Sequence, residues 1–365
     1  MIASSIEGSD EQRAECVIGP ACRLSVIVPA RNEERNLPEC LRSLVAQSEN
    51  GFSLGREWEL IVVDDASSDR TRELARAVAT QHEGVRVLSA PMLDADLGSC
   101  ILTGKNNACW SGAQQANGEW LLFTDADTLH EPGSLVRALE ESKRQQVGLL
   151  SYSPRQRVTG FWQRALMPLI FSELASVYPT KLVNDPESTL AAANGQFLMV
   201  QRQTYFSVGG HRELGGAVLE DVELAGRVKR AGMGVWFRYA PDALSTRMYF
   251  GFSDMVEGWT KNLALLFGHP LALAAWRLLD LALLLLPVLF IPLYALLWWQ
   301  KLVILLIWVR TLLRYYRRVA RSNFRAGDCV LSAFALPLFV WLLIWSWTRH
   351  RLVHRVSWKG REYPV

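Results

Sequence analysis

Between Leu24 and Ser151, short β-branched runs alternate with stretches whose apolar positions recur every three or four residues. Leu24–Pro29 (LSVIVP), Trp58–Val63 (WELIVV), Val85–Leu88, Trp120–Phe123 and Val147–Ser151 read as strands. Leu37–Gln47, Thr71–Gln81, Lys105–Ala116 and Gly133–Arg144 read as the helices between them. This alternation predicts an α/β fold, Rossmann-like, with a mostly parallel sheet covered on both faces. Sheets of that kind bind ligands beyond the carboxyl ends of their strands. The chemistry is therefore expected after Pro29, Val63 and Phe123.

From Pro154 to Ala193 the pattern is irregular. Phe161–Tyr178 mixes large apolar residues with Gln163, Arg164 and Glu173, and reads either as an amphipathic helix at a membrane interface or as a helix packed on the sheet. The tail is plainer. Leu281–Trp299 and Cys329–Trp347 each run 19 residues without a charge, and Leu302–Val309 extends the first past Gln300 and Lys301. Such runs match the roughly 20 residues that cross a bilayer core. As one helix, 281–309 would be about 44 Å long at ~1.5 Å per residue, long for one crossing and short for two. Pro287 and Pro292 can kink it, and Trp298, Trp299 and Lys301 suit a turn at the interface. The expected organisation is a polar extension over 1–22, a catalytic domain over 23–250 and a juxtamembrane or interfacial segment over 251–280. Two or three transmembrane helices with a basic loop follow over 281–348, and a basic tail over 349–365.

Composition agrees with a membrane-attached enzyme. Half of the 365 residues are hydrophobic and 21% are charged, which excludes a disordered or collagen-like chain. The net charge of +3 conceals a division: residues 310–365 hold eleven Lys/Arg against two Asp/Glu, and residues 1–309 hold 28 against 34. An acidic body with a basic, apolar tail is not a nucleic-acid binder. Arginines at 310, 314, 317, 318, 321 and 325 precede the last apolar run, and basic residues at 349, 351, 355, 359 and 361 follow it. A single crossing cannot leave both clusters inside, so either the last segment lies in the membrane surface or the rule is broken once. The six cysteines (16, 22, 40, 100, 109 and 329) form no C-x-x-C pair, as suits a reducing compartment. Met1–Cys22 has neither a basic n-region nor an apolar h-region. The expected location is the cell membrane, multi-pass, with the catalytic domain in the cytoplasm.

The residues that stand out at strand ends are acidic. Asp64 and Asp65 follow the second strand in VVDDASSDRT, where a carboxylate can accept hydrogen bonds from a base or sugar, while Ser67, Ser68 and Asp69 form a turn that caps the next helix. Asp125-Ala126-Asp127 follows the fourth strand. Two hard oxygen donors there, completed by water and a diphosphate, would hold Mg²⁺ or Mn²⁺ and neutralise a leaving diphosphate. Glu220-Asp221 opens the helical pattern LEDVELAGRVKRAG, and reads either as a helix cap or, at Asp221, as a general base for an acceptor hydroxyl. Lys105, at the start of a helix, reads either as a contact to a phosphate oxygen or as a solvated surface lysine. No G-x-G-x-x-G follows the first strand, and neither a P-loop nor a G-x-S-x-G elbow occurs. A dinucleotide dehydrogenase, a P-loop NTPase and an α/β-hydrolase are thereby disfavoured.

Together, SVIVPARNEERNL, VVDDASSDRT, GKNNACWSGAQQANGEWLLFTDAD and LEDVELAGRVKRAG resemble the family 2 glycosyltransferases, which have the GT-A fold, over about Leu24–Gly232. RMYFGFSDMVEGWTKNL (Arg247–Leu263) and SWKGREY (Ser357–Tyr363) are similar to a membrane-bound subgroup that includes 4,4′-diaponeurosporenoate glycosyltransferases. Hopanoid-associated and ceramide glucosyltransferases are more distant relatives. The resemblance implies a nucleotide-diphosphate sugar donor, usually UDP-linked, a divalent metal (Mn²⁺ or Mg²⁺) and inversion at the anomeric carbon. It assigns Pro29, Ala30, Glu33, Asp64, Asp65, Lys105 and Asp125 to the nucleotide sugar, Asp127 with Asp125 to the metal, and Asp221 with Glu220 to catalysis. Gln196, Trp259 and Lys261 are candidates for the acceptor or the diphosphate. Where processive synthases carry Q/R-x-x-R-W, this chain reads EGWTKN, so transfer of a single sugar to a membrane lipid acceptor is expected rather than polymerisation. An acceptor alcohol needs a base whereas a carboxylate does not; the intact Glu220-Asp221 pair therefore favours a lipid hydroxyl, or a phosphate with the pair kept for positioning. A polyprenyl-phosphate glycosyltransferase and a catalytically degenerate membrane scaffold are the alternatives.

Overall fold

Seven strands form the central sheet, in the order β3-β2-β1-β4-β8-β6-β9. A computed structural model describes residues 22–91, 103–293, 296–353, 355–358 and 361–364. The expected extension before Cys22 lies outside the described residues, as do Cys16, Cys100 and the Lys359-Gly360 centre of SWKGREY. Along the chain run β1 (Leu24–Ala30), α1 (Leu37–Val45), β2 (Trp58–Asp64), α2 (Thr71–Gln81), β3 (Val85–Ser89), α3 (Gly104–Gln114) and β4 (Trp120–Phe123). Next come β5 (Thr128–His130), α4 (Ser134–Gln145), β6 (Leu149–Ser153), β7 (Arg155–Gln156), α5 (Gly160–Val177), α6 (Thr180–Val183) and β8 (Leu198–Gln201). The domain closes with α7 (Arg202–Ser207), α8 (Gly210–Glu213), α9 (Glu220–Arg230), β9 (Val235–Tyr239) and β10 (Leu244–Thr246).

Strands β1 to β4 pair in parallel, as do β6 and β9, but β8 runs antiparallel to both β4 and β6. The strands are apolar on both sides because both faces are covered. One face packs Val26, Val28, Leu60 and Val62 on the inner sides of α1 and α4. The other packs Ile27, Ile61, Val63 and Leu121 on α3 and α9. Helix α3 lies close because Gly112 faces the sheet: a Cβ there would stand 2.6 Å from Ile27 Cγ2. A small second sheet, β5-β10-β7, carries the chain directly after Asp127.

The tail is helical: α10 (Phe252–Leu266), α11 (Pro270–Leu293), α12 (Trp298–Val319), α13 (Ala326–Leu331) and α14 (Leu336–Thr348), before a hairpin of β11 (Arg355–Trp358) and β12 (Arg361–Pro364). Two stretches, Pro270–Leu289 and Ala326–Val353, are long and apolar enough to cross a bilayer, with mean hydropathies of 2.0 and 2.1. The first begins eleven residues before the charge-free run at Leu281. It does so because Arg277 and Asp280 pair with each other inside the helix, so charges that end an apolar run need not end the helix. Helix α12 runs on through Arg310, Arg314, Arg317 and Arg318 to Val319. Helix α5 does not pack on the sheet. Its Leu166, Leu169 and Ile170 join Trp259, Leu263, Phe339 and Leu343 of α10 and α14 in a third core.

Candidate active site

A cavity of about 710 Å³ opens at the carboxyl ends of β1, β2 and β4. Its polar floor is built from strand ends. Pro29 and Ala30 close β1, Asp65 follows β2, and Asp125 and Asp127 follow β4; all five line the cavity, as does Glu33. The turns after β1 and β2 are sewn together: Asn32 N–H donates to Ser67 Oγ (3.1 Å), Ser68 N–H to Asn32 Oδ1 (2.9 Å) and Glu33 N–H to Thr71 Oγ1 (2.7 Å). Asn32 and Ala66 both adopt φ of +51° to make these turns, a conformation that asparagine tolerates and alanine does not favour. Arg31 crosses between them, donating to the Asp65 carbonyl at 2.8 Å with its guanidinium 3.7 Å from the Asp65 carboxylate. Asp64 stands apart from the cavity. It is buried, and its Oδ1 accepts from Ser67 N–H at 3.2 Å, which makes it the cap of that turn.

Lys105, in the first turn of α3, bridges two carboxylates, with Nζ 2.8 Å from Asp125 Oδ1 and 2.7 Å from Glu220 Oε1. Burial opposes its charge, but those two carboxylates outweigh burial and hold its pKa well above the ordinary lysine range. Glu220 and Asp221 open α9 and face the floor side by side. Burial also raises Glu220, yet Lys105 prevails and keeps it below the usual carboxylate value. Asp221 moves the other way, to about 6, through burial and the adjacent Glu220 charge. Its Oδ2 accepts from Gly195 N–H and its Oδ1 from Val222 N–H, both at 2.8 Å.

Gln196 lines the cavity, but its amide is used internally. Nε2 donates to Thr246 Oγ1 (3.2 Å), which donates to the Asp127 carbonyl (3.2 Å). Thr124 Oγ1 donates to the Gln196 carbonyl (2.8 Å) and accepts from His130 Nε2 (3.1 Å); burial drives the His130 imidazole to about 3, so it is neutral. Gln196 thus holds the backbone that presents Asp127.

The opposite wall comes from the tail and from α5. Trp259, Lys261, Asn262 and Leu266 of α10, Phe171 and Leu174 of α5 and Tyr178 just after α5 line the cavity, with Met248 and Tyr249 beside them. Burial lowers the Lys261 pKa. From sequence, Phe161–Tyr178 reads as an interfacial or packed helix and not as a cavity wall, and Asn194 and Gly195 carry no site reading. The Asn-Gly turn before β8 was the available signal. Among the described residues, no group of three or more His, Cys, Asp or Glu converges as a metal site. Asp125 and Asp127 supply two carboxylates on one cavity wall, which suits a hard divalent cation whose other ligands are water and a diphosphate.

The glycosyl transferase family 2 model matches residues 25–206. A 4,4′-diaponeurosporenoate glycosyltransferase of Staphylococcus haemolyticus (strain JCSC1435) is 32% identical over 250 residues, which are 66% of this chain and 61% of that protein. The Staphylococcus aureus (strain MRSA252) protein of the same name is 27% identical over 352 residues, covering 94% of this chain and 88% of its own. Among solved structures, the mannosyltransferase PcManGT from Pyrobaculum calidifontis in complex with GDP-Man and Mn²⁺ aligns with a TM-score of 0.52 at 18% identity, over 92% of this chain and 90% of that one. At that identity the likeness is one of fold, the GT-A arrangement.

Proposed function

Because the chain belongs to glycosyl transferase family 2 through residues 25–206, we propose that it transfers one sugar, with inversion, from a UDP-sugar to an apolar membrane lipid of carotenoid type. The observation that carries this reading is the two-sided cavity: strand-end carboxylates and Lys105 on one side, and Phe171, Leu174, Trp259 and Leu266 on the other. A donor diphosphate belongs with the first wall and an isoprenoid-like chain with the second. The second wall is continuous with helices long and apolar enough to cross a bilayer, which supports an acceptor arriving from the membrane. The curated relatives are named for a carotenoid acceptor.

Within this reading Asp65, Glu33, Pro29 and Ala30 frame the nucleotide, and Asp125 and Asp127 hold the divalent cation. A bound Mn²⁺ or Mg²⁺ supplies charge neutralisation at the leaving diphosphate. Lys105 orders the acidic floor by pairing Asp125 with Glu220. Asp221, with its pKa raised to about 6, is ionised at neutral pH yet basic enough to take a proton from an attacking hydroxyl. The relatives' acceptor name denotes a carboxylate, and for such an acceptor Asp221 orients rather than deprotonates.

The test is UDP release by the full chain in detergent with Mn²⁺, UDP-glucose and a total lipid extract, followed by mass spectrometry of the lipid product. Release that needs both lipid and the Asp127 carboxylate, and so is lost in Asp127→Ala, is the expected result. Lipid-independent release, or equal release by Asp127→Ala, would overturn the reading.

A further inference from the structure

A second cavity, of about 660 Å³, adjoins the first, with Phe171, Tyr239, Ser322 and Asn323 as their common wall. Arg155, Arg157, Arg164 and Arg325 line it, against one lining carboxylate, Asp328. That carboxylate is buried and committed to Arg164, with Nε 2.6 Å from Oδ1. The carboxylates beside Arg155 (Glu131) and Arg157 (Glu39) stand 3.9 and 3.8 Å away, beyond hydrogen-bond reach. The Arg325 side chain makes no hydrogen bond or ion pair among the described residues. Cations gathered around one void repel each other unless an anion occupies it. Guanidinium groups bind phosphate through paired, charge-assisted hydrogen bonds.

A second observation says what carries the phosphate. Phe161 and Trp162 of α5, within one turn of Arg164, meet Phe334 and Phe252 at ring-centroid distances of 6.4 and 5.7 Å. These four rings are 48%, 42%, 65% and 48% exposed. A contiguous patch of exposed aromatic rings beside a basic rim is the arrangement that seats at the headgroup level of a bilayer. We propose that this cavity binds the phosphate headgroup of an anionic phospholipid, whose acyl chains run over the Phe161–Trp162–Phe252–Phe334 patch. Free phosphate would engage the arginines and leave the aromatic patch without a role. This inference rests on the membrane attachment proposed above and is independent of which lipid accepts the sugar.

The experiment uses the full chain, wild type and Arg155→Gln/Arg157→Gln/Arg325→Gln, reconstituted in phosphatidylcholine nanodiscs with or without phosphatidylglycerol. Native mass spectrometry counts the lipids retained, and Trp fluorescence follows titration with short-chain phosphatidylglycerol or with inorganic phosphate. Wild type is expected to retain phosphatidylglycerol over phosphatidylcholine, and the triple variant to bind it at least about tenfold more weakly, the effect of losing one charge-assisted contact. Arg325→Gln alone breaks no side-chain hydrogen bond or ion pair among the described residues and is expected to weaken binding in the same direction, which separates headgroup loss from misfolding. Equal retention of the two lipids by wild type, or unchanged preference in both variants, would overturn the proposal. Binding of inorganic phosphate as tight as that of the lipid would overturn the lipid assignment. Failure of wild type to enter neutral nanodiscs at all would instead strike the membrane attachment.

Discussion

The hydroxyl of Ser346 stands between the carbonyl of Thr260 and the amide of Ala264. It donates to the first at 2.6 Å and accepts from the second at 2.9 Å. A side chain of α14 is thereby inserted into the hydrogen-bond ladder of α10, and one turn further on His350 Nε2 donates to the Lys261 carbonyl at 2.8 Å. Helix α10 carries Trp259 and Lys261 into the cavity, so an apolar tail helix sets the position of one cavity wall. Ser346 is fully buried, and Ser346→Ala removes the bridge from two buried backbone groups. A loss of about 1–3 kcal/mol follows if they stay unpaired, and a shift of α10 follows if they re-pair directly. Either way turnover should fall. Thermal melting in detergent and turnover at saturating donor distinguish the two: a lower melting temperature marks the first outcome, and lost turnover at unchanged melting temperature marks the second.

The Gly195 amide donates to Asp221 Oδ2 at 2.8 Å, so its Cα lies against the acidic pair. A Cβ added there would stand 2.9 Å from Lys105 Nζ, 3.4 Å from Glu220 Oε1 and 3.6 Å from Asp221 Oδ2. The residue has no positive φ to forbid alanine, so the obstruction is steric and local. Gly195→Ala should displace the lysine from its two carboxylates and lower kcat/KM by more than about tenfold, which corresponds to roughly 1.4 kcal/mol in the transition state. The melting temperature should scarcely change. Wild-type kinetics in this variant would show that the Lys105 bridge has no part in turnover.

Much of this arrangement was legible in the sequence, for reasons that particular residues make plain. Helix α2 spans Thr71–Gln81 and β4 spans Trp120–Phe123, where the apolar period put them, because a local pattern with sharp ends needs no tertiary information. The strand ends then placed Asp65, Asp125 and Asp127 on one cavity. Strand β8 was not legible. It is a four-residue antiparallel insertion between β4 and β6, buried in the sheet and without the apolar–polar alternation that would announce it. Gly195 owes its importance to the meeting of the turn before β8 with α9, a contact across 26 positions that no local pattern encodes. Asp64 and Asp65 are adjacent and chemically identical, yet only the second lines the cavity. The alternation of side chains at the end of β2, not residue type, separates them.

The acid side of the pH–rate profile should report Asp221. Its folded pKa of about 6 lies above the ordinary value of 3.8, so between those two values the folded chain keeps a proton that the unfolded chain has released. Stability therefore falls as pH rises across that window, and the cost of ionising Asp221 is complete above it. Activity on a hydroxyl acceptor runs the opposite way, since only the carboxylate can take the proton. kcat/KM should rise with pH and level off above about 6, as a property of the coupled Glu220–Asp221 pair rather than of one group. Asp221→Asn should abolish that limb and turnover together while leaving the melting temperature at neutral pH unchanged or higher. Full turnover by Asp221→Asn would remove the base from the mechanism and favour a carboxylate acceptor.

Charge inside the tail follows different rules. Asp280 of α11 is buried and pairs with Arg277, with Arg314 (3.1 Å) and with Arg318 (3.0 Å), while Glu173 of α5 lies 3.3 Å from Arg277 and 3.4 Å from Arg318. The cluster clamps α5, α11 and α12 together, and it accounts for two of the arginines that confuse a count of inside charges. Removing one member of a buried set leaves the others uncompensated, at a cost of about 3–5 kcal/mol. Asp280→Asn keeps the shape and removes the charge, so it should lower the detergent melting temperature sharply. Added salt should not reproduce the effect, because buried pairs are poorly screened. Arg314→Gln, at the exposed edge of the same cluster, should cost under about 1 kcal/mol. The ranking of the two variants is the check: comparable losses would mean that water reaches Asp280, and that the three helices are held together by their apolar faces alone.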